Sequence, residues 1–188
     1  MEQARQHPLT GTTQEAIEAF LRDRGAGEMP HPGGTLLEHL LRVQRLLAEW
    51  DADPAVRTAG LCHATYGTDG FAPALLPLTE RATLVALIGE PAEALVYLYA
   101  SCDRALVYPR IDGTTAIAFR DRFTGDEHQP SAFAWRAFLE ITAANELDVL
   151  MHNAALAEEH GPKLYGLFER ARSLLSPAAR KAVARQLA

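Results

Sequence analysis

The stretch Thr35 to Trp50, TLLEHLLRVQRLLAEW, constrains the fold more than any other part of the chain. Thr35 and Glu38 form a capping box, in which each side chain satisfies a backbone N–H that the first helical turn would leave unpaired. Behind it Leu36, Leu40, Val43, Leu47 and Trp50 fall within about 40° of one direction at helical spacing, so one stripe must be buried against other elements. The connection Asp51-Ala52-Asp53 is short enough to make the next helix an antiparallel neighbour. Asp53 with Pro54 is an N-cap followed by proline in the first helical position, which predicts a helix over residues 54–66 that stops at Gly67.

The same start and stop signals recur along the chain. Thr12 and Glu15 precede EAIEAFLRDR, with Gly25 as its stop. Thr79 opens ERATLVALIG and Pro91 opens AEALVYLYASCDR. Ser131 opens a long helix to about Glu159, and Ser176 with Pro177 a last short one. Only ALVYPRIDGTTAIAF changes character, with β-branched and aromatic residues around Asp112-Gly113 that predict a small β-hairpin near residues 106–119. The expected fold is mainly α: a single helical bundle over residues 1–188 carrying that hairpin.

At 188 residues, 48% hydrophobic and 22% charged, the chain is large and apolar enough to bury its own core without cross-links. Cys62 and Cys102 lie in predicted helices without CxxC spacing, which reads as reduced, buried thiols. A net charge of −6 argues against a nucleic-acid face, since phosphate backbones are bound chiefly by clustered Lys and Arg. Arg104, Arg110, Arg120 and Arg122 share one stretch, which suits either a salt-bridged surface or a small anion. The N-terminus MEQARQHPLTGTT lacks the apolar core of a signal peptide, and no run approaches the ~18 apolar residues of a membrane span. The expectation is a cytoplasmic monomer or small homodimer that handles a small-molecule substrate, with neither nucleic acid nor membrane as partner.

The histidines stand out against this background. His39 lies about 60° from the centre of the buried stripe of its helix, and His63 points between Ala59 and Gly60 on the next. On the long helix Thr142, Glu146 and Asn153 share the direction of Trp135 to within about 20°, Asn145 lies to one side, and Asp148 points almost the opposite way. Inward polar groups are costly unless they share partners. Either each is satisfied locally in the core, or a metal or polar ligand serves them together.

The stretch LLEHLLRVQRLLAEWDADPAVRTAGLCHATYGT, followed much later by LEITAANELDVLMHN, resembles the HD-domain superfamily of metal-dependent enzymes over about residues 31–155. In that superfamily a histidine on one helix, a histidine-aspartate pair at the end of the next and an aspartate on a late helix hold the metal. His39 matches the first ligand, His63 the histidine of the pair and Asn145 the late aspartate. Ala64 stands where the pair has its aspartate. The resemblance implies an altered site in which His31, in HPGG, replaces a lost ligand, so that His31, His39 and His63 hold one divalent transition metal: Zn, Fe or Mn. Three imidazoles suit such an ion and leave a position open for water or substrate. Glu146, Tyr66 and Asp103 are the candidate catalytic groups, and Arg104, Asn145 and Thr68 the candidate substrate-binding ones. The implied activity is metal-assisted hydrolysis, or a related lytic step, on a small anionic molecule. The alternatives are a mononuclear non-haem iron oxygenase and a metal-free binding module without catalysis.

Overall fold

The computed structural model describes residues 11–188; the capping role expected of Thr12 lies outside the described side chains. Helix α1 (Gly11–Asp23) leads into a tight two-residue hairpin, β1 (Pro30–His31) with β2 (Gly34–Thr35), which delivers the chain to α2 (Leu36–Glu49) and α3 (Pro54–Cys62). Next come α4 (Arg81–Ile88), α5 (Glu90–Ser101) and the one-turn α6 (Arg104–Val107). A second hairpin, β3 (Phe119–Arg120) with β4 (Glu127–His128), precedes α7 (Ala132–Met151), α8 (Ala154–Arg170) and α9 (Pro177–Leu187). The protein is mainly α with small antiparallel hairpins, and among the described residues no helix is long and apolar enough to cross a membrane.

The predicted helical pair forms as the caps require. Thr35 accepts from the Glu38 N–H while Glu38 accepts from the Thr35 N–H, and Asp53 accepts from the Ala55 N–H. Leu40, Val43 and Leu47 of α2 are fully buried, together with Ala59 and Leu61 of α3, Val96 of α5 and Trp135 of α7. Gly60 allows this close approach of α2 and α3, because a Cβ there would run into Leu47 Cδ1. Cys62 and Cys102 are free, buried thiols whose pKa burial pushes up to about 12.

Three expectations are corrected. Helix α3 ends at Cys62 instead of residue 66, so His63 is its C-cap. The next residues form tight turns closed by Thr65 N–H to Cys62 O and Gly67 N–H to Ala64 O, and the Thr65 carbonyl accepts instead from Leu75 and Leu76. The hairpin lies at residues 119–128 and not 106–119. Val107, Ile111 and Ile117 are used as core residues, and Gly113 packs on the end of α8, where Ser173 Oγ donates to its carbonyl. Finally, the long helix breaks after Met151. Asn153, expected to face inward on it, caps α8 by accepting from the Leu156 N–H.

Gly60→Val should force α2 and α3 apart and lower unfolding free energy by about 1–3 kcal/mol, as overpacking does. Gly166→Ala, in mid-α8 with only Arg170 Nη1 as near as 3.9 Å to the added carbon, should raise it by roughly 0.5–1 kcal/mol. Urea unfolding of both variants measures the contrast.

Candidate functional site

The β1–β2 hairpin places His31 immediately above the start of α2, with His39 on the second turn of that helix and His63 at the end of α3. The three imidazoles meet. His31 stacks on His39 with ring centroids 4.0 Å apart, and His39 meets His63 edge-on at 5.3 Å. Phe71 covers the outer edge of His31 at 5.5 Å, and Tyr99 backs His63 at 5.1 Å. His39 and His63 are buried. Burial, and then the neighbouring His39, lowers the pKa of His31 to about 4 and that of His63 to about 3, so both rings are neutral near pH 7.

Asp148 holds this cluster in place. The outward direction expected for it is wrong: it is fully buried, accepting the Nδ1–H of His39 at 2.7 Å and both Nε (2.7 Å) and Nη2 (3.0 Å) of Arg42. Burial works against its charge, but the bonds from His39 and Arg42 outweigh this and hold its pKa below the ordinary carboxylate value. Arg42 also donates to the carbonyls of Pro32 (3.0 Å) and Gly33 (3.2 Å), tying the His31 hairpin to the same carboxylate. The single-stripe reading failed because every residue of α7 from Ala137 to Asn145 is buried, so the helix has no one inward face.

The remaining ring nitrogens have no settled donor among them. His63 donates Nδ1–H to the Gly60 carbonyl at 2.7 Å, which leaves its Nε2 a lone pair. The Nδ1 of His31 is buried with no hydrogen-bond partner. His39 Nε2 lies 3.1 Å from Asn145 Oδ1, and Asn145 is oriented by its amide N–H donating to Glu146 Oε1 at 3.2 Å. With Nδ1–H given to Asp148, the Nε2 lone pair of His39 and Asn145 Oδ1 oppose each other as two acceptors.

This arrangement borders a cavity of about 330 Å³, whose walls include His31, His63, Thr68, Arg104, Asn145 and Glu146. Arg104 donates to Glu146 (3.2 Å) and to the Tyr99 hydroxyl (3.3 Å), and its guanidinium lies 5.6 and 5.7 Å from the Tyr99 and Tyr108 ring centres. Six of the nine candidate residues therefore line one cavity, with His39 directly behind it. Tyr66 and Asp103 do not reach it. The Tyr66 hydroxyl donates to Glu93, which Arg81 also binds, and Asp103 caps α6 by accepting from the Leu106 N–H. Of the four clustered arginines only Arg104 lines the cavity; Arg110 pairs with Glu127, and Arg122 bonds the Ala100 carbonyl.

Residues missed in the sequence include Asp148 and Arg42, whose signal was the i, i+3 spacing of His39 with Arg42 and of Asn145 with Asp148. Phe71 and His160, also on the cavity wall, had no such signal. Among the described residues no group of three or more His, Cys, Asp or Glu side chains is disposed around a metal position; the stacking of His31 on His39 sets their donor atoms side by side. The chemistry of the donors nevertheless fits one borderline transition metal. The 3.1 Å between His39 Nε2 and Asn145 Oδ1 is a little shorter than the roughly 3.4 Å between tetrahedral ligands with bonds of about 2.1 Å, so the two would spread slightly to share an ion.

A family model described as a domain of unknown function (DUF6817) matches residues 20–104. The matched segment carries the three histidines, Arg42 and Arg104, but not Asn145, Glu146 or Asp148. No curated protein and no solved structure matches the chain.

Replacing Asp148 by Ala strands Arg42 and His39 beside a buried hole and should lower stability by about 3–5 kcal/mol. Arg110→Ala, which breaks an exposed pair with Glu127, should cost less than about 1 kcal/mol. Denaturant unfolding of the two variants checks the difference.

Proposed function

We propose that this protein is an HD-like enzyme that uses one divalent transition metal, held by His31, His39 and His63 beside Asn145, to act on a small anionic molecule by hydrolysis or a related lytic step. The observation that carries the reading is the opposition of His39 Nε2 and Asn145 Oδ1 next to the unpartnered His31 Nδ1. A cation resolves all three at once. Bound there, Zn²⁺, Mn²⁺ or Fe²⁺ would supply Lewis acidity toward a substrate oxygen and a water of lowered pKa.

The protein's own groups do the rest. Asp148 and the Gly60 carbonyl hold His39 and His63 in the tautomers that leave Nε2 free, the role outer partners play at imidazole sites. Arg104 supplies the anion clamp. A substrate carboxylate or phosphate that displaces Glu146 from Arg104 frees the Glu146 carboxylate to take up or deliver a proton. Phe71 and Leu156, on the cavity wall, keep bulk water from the bound molecule.

A second reading, a binding module without metal, is favoured by the stacking of His31 on His39. The test is elemental analysis of the full chain purified anaerobically without chelator or histidine tag. About one ion per chain is expected, lost in His63→Ala while helical circular dichroism persists. Asp148→Asn should weaken metal affinity roughly 10–100-fold. Zinc or manganese with turnover in the absence of oxygen supports hydrolysis, and iron with oxygen consumption supports oxygenation instead. No bound metal and no uptake on titration would overturn both enzyme readings and leave the binding module.

A further inference from the structure

A second cavity, of about 520 Å³, opens on the opposite side of α2, between it, α1 and α3. Its α2 wall is the stripe of Leu41, Gln44, Arg45 and Ala48, which at about 100° per residue is centred nearly opposite His39. The two cavities therefore share α2 and use its two faces. The second is polar where the first is aromatic. Arg45 and Arg57 both line it, and neither makes an ion pair or a side-chain hydrogen bond among the described residues. The Nε of Arg57 is enclosed and has no hydrogen-bond partner among the described residues.

Arg45 is exposed, but Arg57 is half-buried, and its enclosed, unpaired Nε contrasts with Arg42, Arg81 and Arg104, which all find carboxylates. The acid in the recess, Glu18, does not neutralise them, because it accepts from Arg22 at 3.0 Å and from Gln14 at 3.1 Å. The neutral groups are ordered as well. Buried Gln44 donates to the Gln14 side-chain oxygen at 3.4 Å, so the two amides pair on the wall of the same recess. An enclosed N–H of a charged group left unpaired is costly, and planar guanidinium groups match the oxygens of a phosphate.

We infer that this cavity is an anion-binding site, separate from the histidine cavity, which takes a small molecule by a phosphate group held between Arg45 and Arg57. The volume accommodates an organic body behind that group. The inference does not rest on the metal reading, since no residue is shared between the two cavities.

Titration of the full chain with inorganic phosphate and with glycerol 3-phosphate, followed by calorimetry and thermal shift, tests it. Saturable binding of at least one probe is expected, weakened at least tenfold in Arg57→Gln and in Arg45→Gln. It should be unchanged in Arg110→Gln, which removes a surface cation outside both cavities. Tighter binding of the ester than of phosphate identifies an organic phosphate as the ligand, and equal binding identifies the phosphate group alone. Both outcomes support the site. Absence of binding, or binding kept undiminished in both glutamine variants of this cavity, would overturn it. Arg45 is exposed and Arg57 half-buried, and circular dichroism confirms that the variants compared are folded.

Discussion

The carboxylate of Asp148 is the point on which the site depends. It is fully enclosed, and a buried charge is tolerated only when its partners are close and well aligned. Those partners come from a different part of the chain: His39 and Arg42, a turn apart on α2. Through Arg42 the same carboxylate also fixes the carbonyls of Pro32 and Gly33, and with them the hairpin that carries His31. One acid thus sets the tautomer of one histidine, the position of another and the docking of α7 on α2.

With that anchor in place, the cavity walls have divided roles. His31 and His63 stand on one side, neutral because burial disfavours their charge and each lies beside His39. The Arg104–Glu146 pair closes the other, resting on two tyrosine rings. Asn145 joins the halves, one end of its amide facing His39 and the other donating to Glu146. Under the proposed metal reading, a neutral donor set beside Arg104, whose carboxylate partner a ligand can displace, would leave more of the ion's Lewis acidity for a bound anion.

The resemblance that pointed to this region rests on His39 and His63 with altered partners at Ala64 and Asn145, and the match to a domain of unknown function covers residues 20–104. The acids and amides on α7 lie beyond that match. They were the hardest residues to place from the sequence, for a physical reason. A helix buried on all sides shows no amphipathic stripe, so the period that locates α2 has no counterpart in α7. Asp148 was assigned outward and Asn153 inward, whereas the first is enclosed and the second caps the following helix.

What the sequence determined by itself was local. The capping box at Thr35, the Asp53-Pro54 start, the Ser131 and Ser176 caps and the apolar stripe of α2 each act within a few residues, and all appear where they were expected. The inward positions of His39 and His63 followed from the same short-range geometry. Tertiary structure decided what lies across space. It sent the Tyr66 hydroxyl to Glu93 and left Asp103 as a cap, moved the second hairpin to residues 119–128, and set Asp148 against His39 over a separation of 109 positions. Caps and periodicity are governed by bonds one helical turn long, while the register of one helix against another depends on packing that no local spacing encodes.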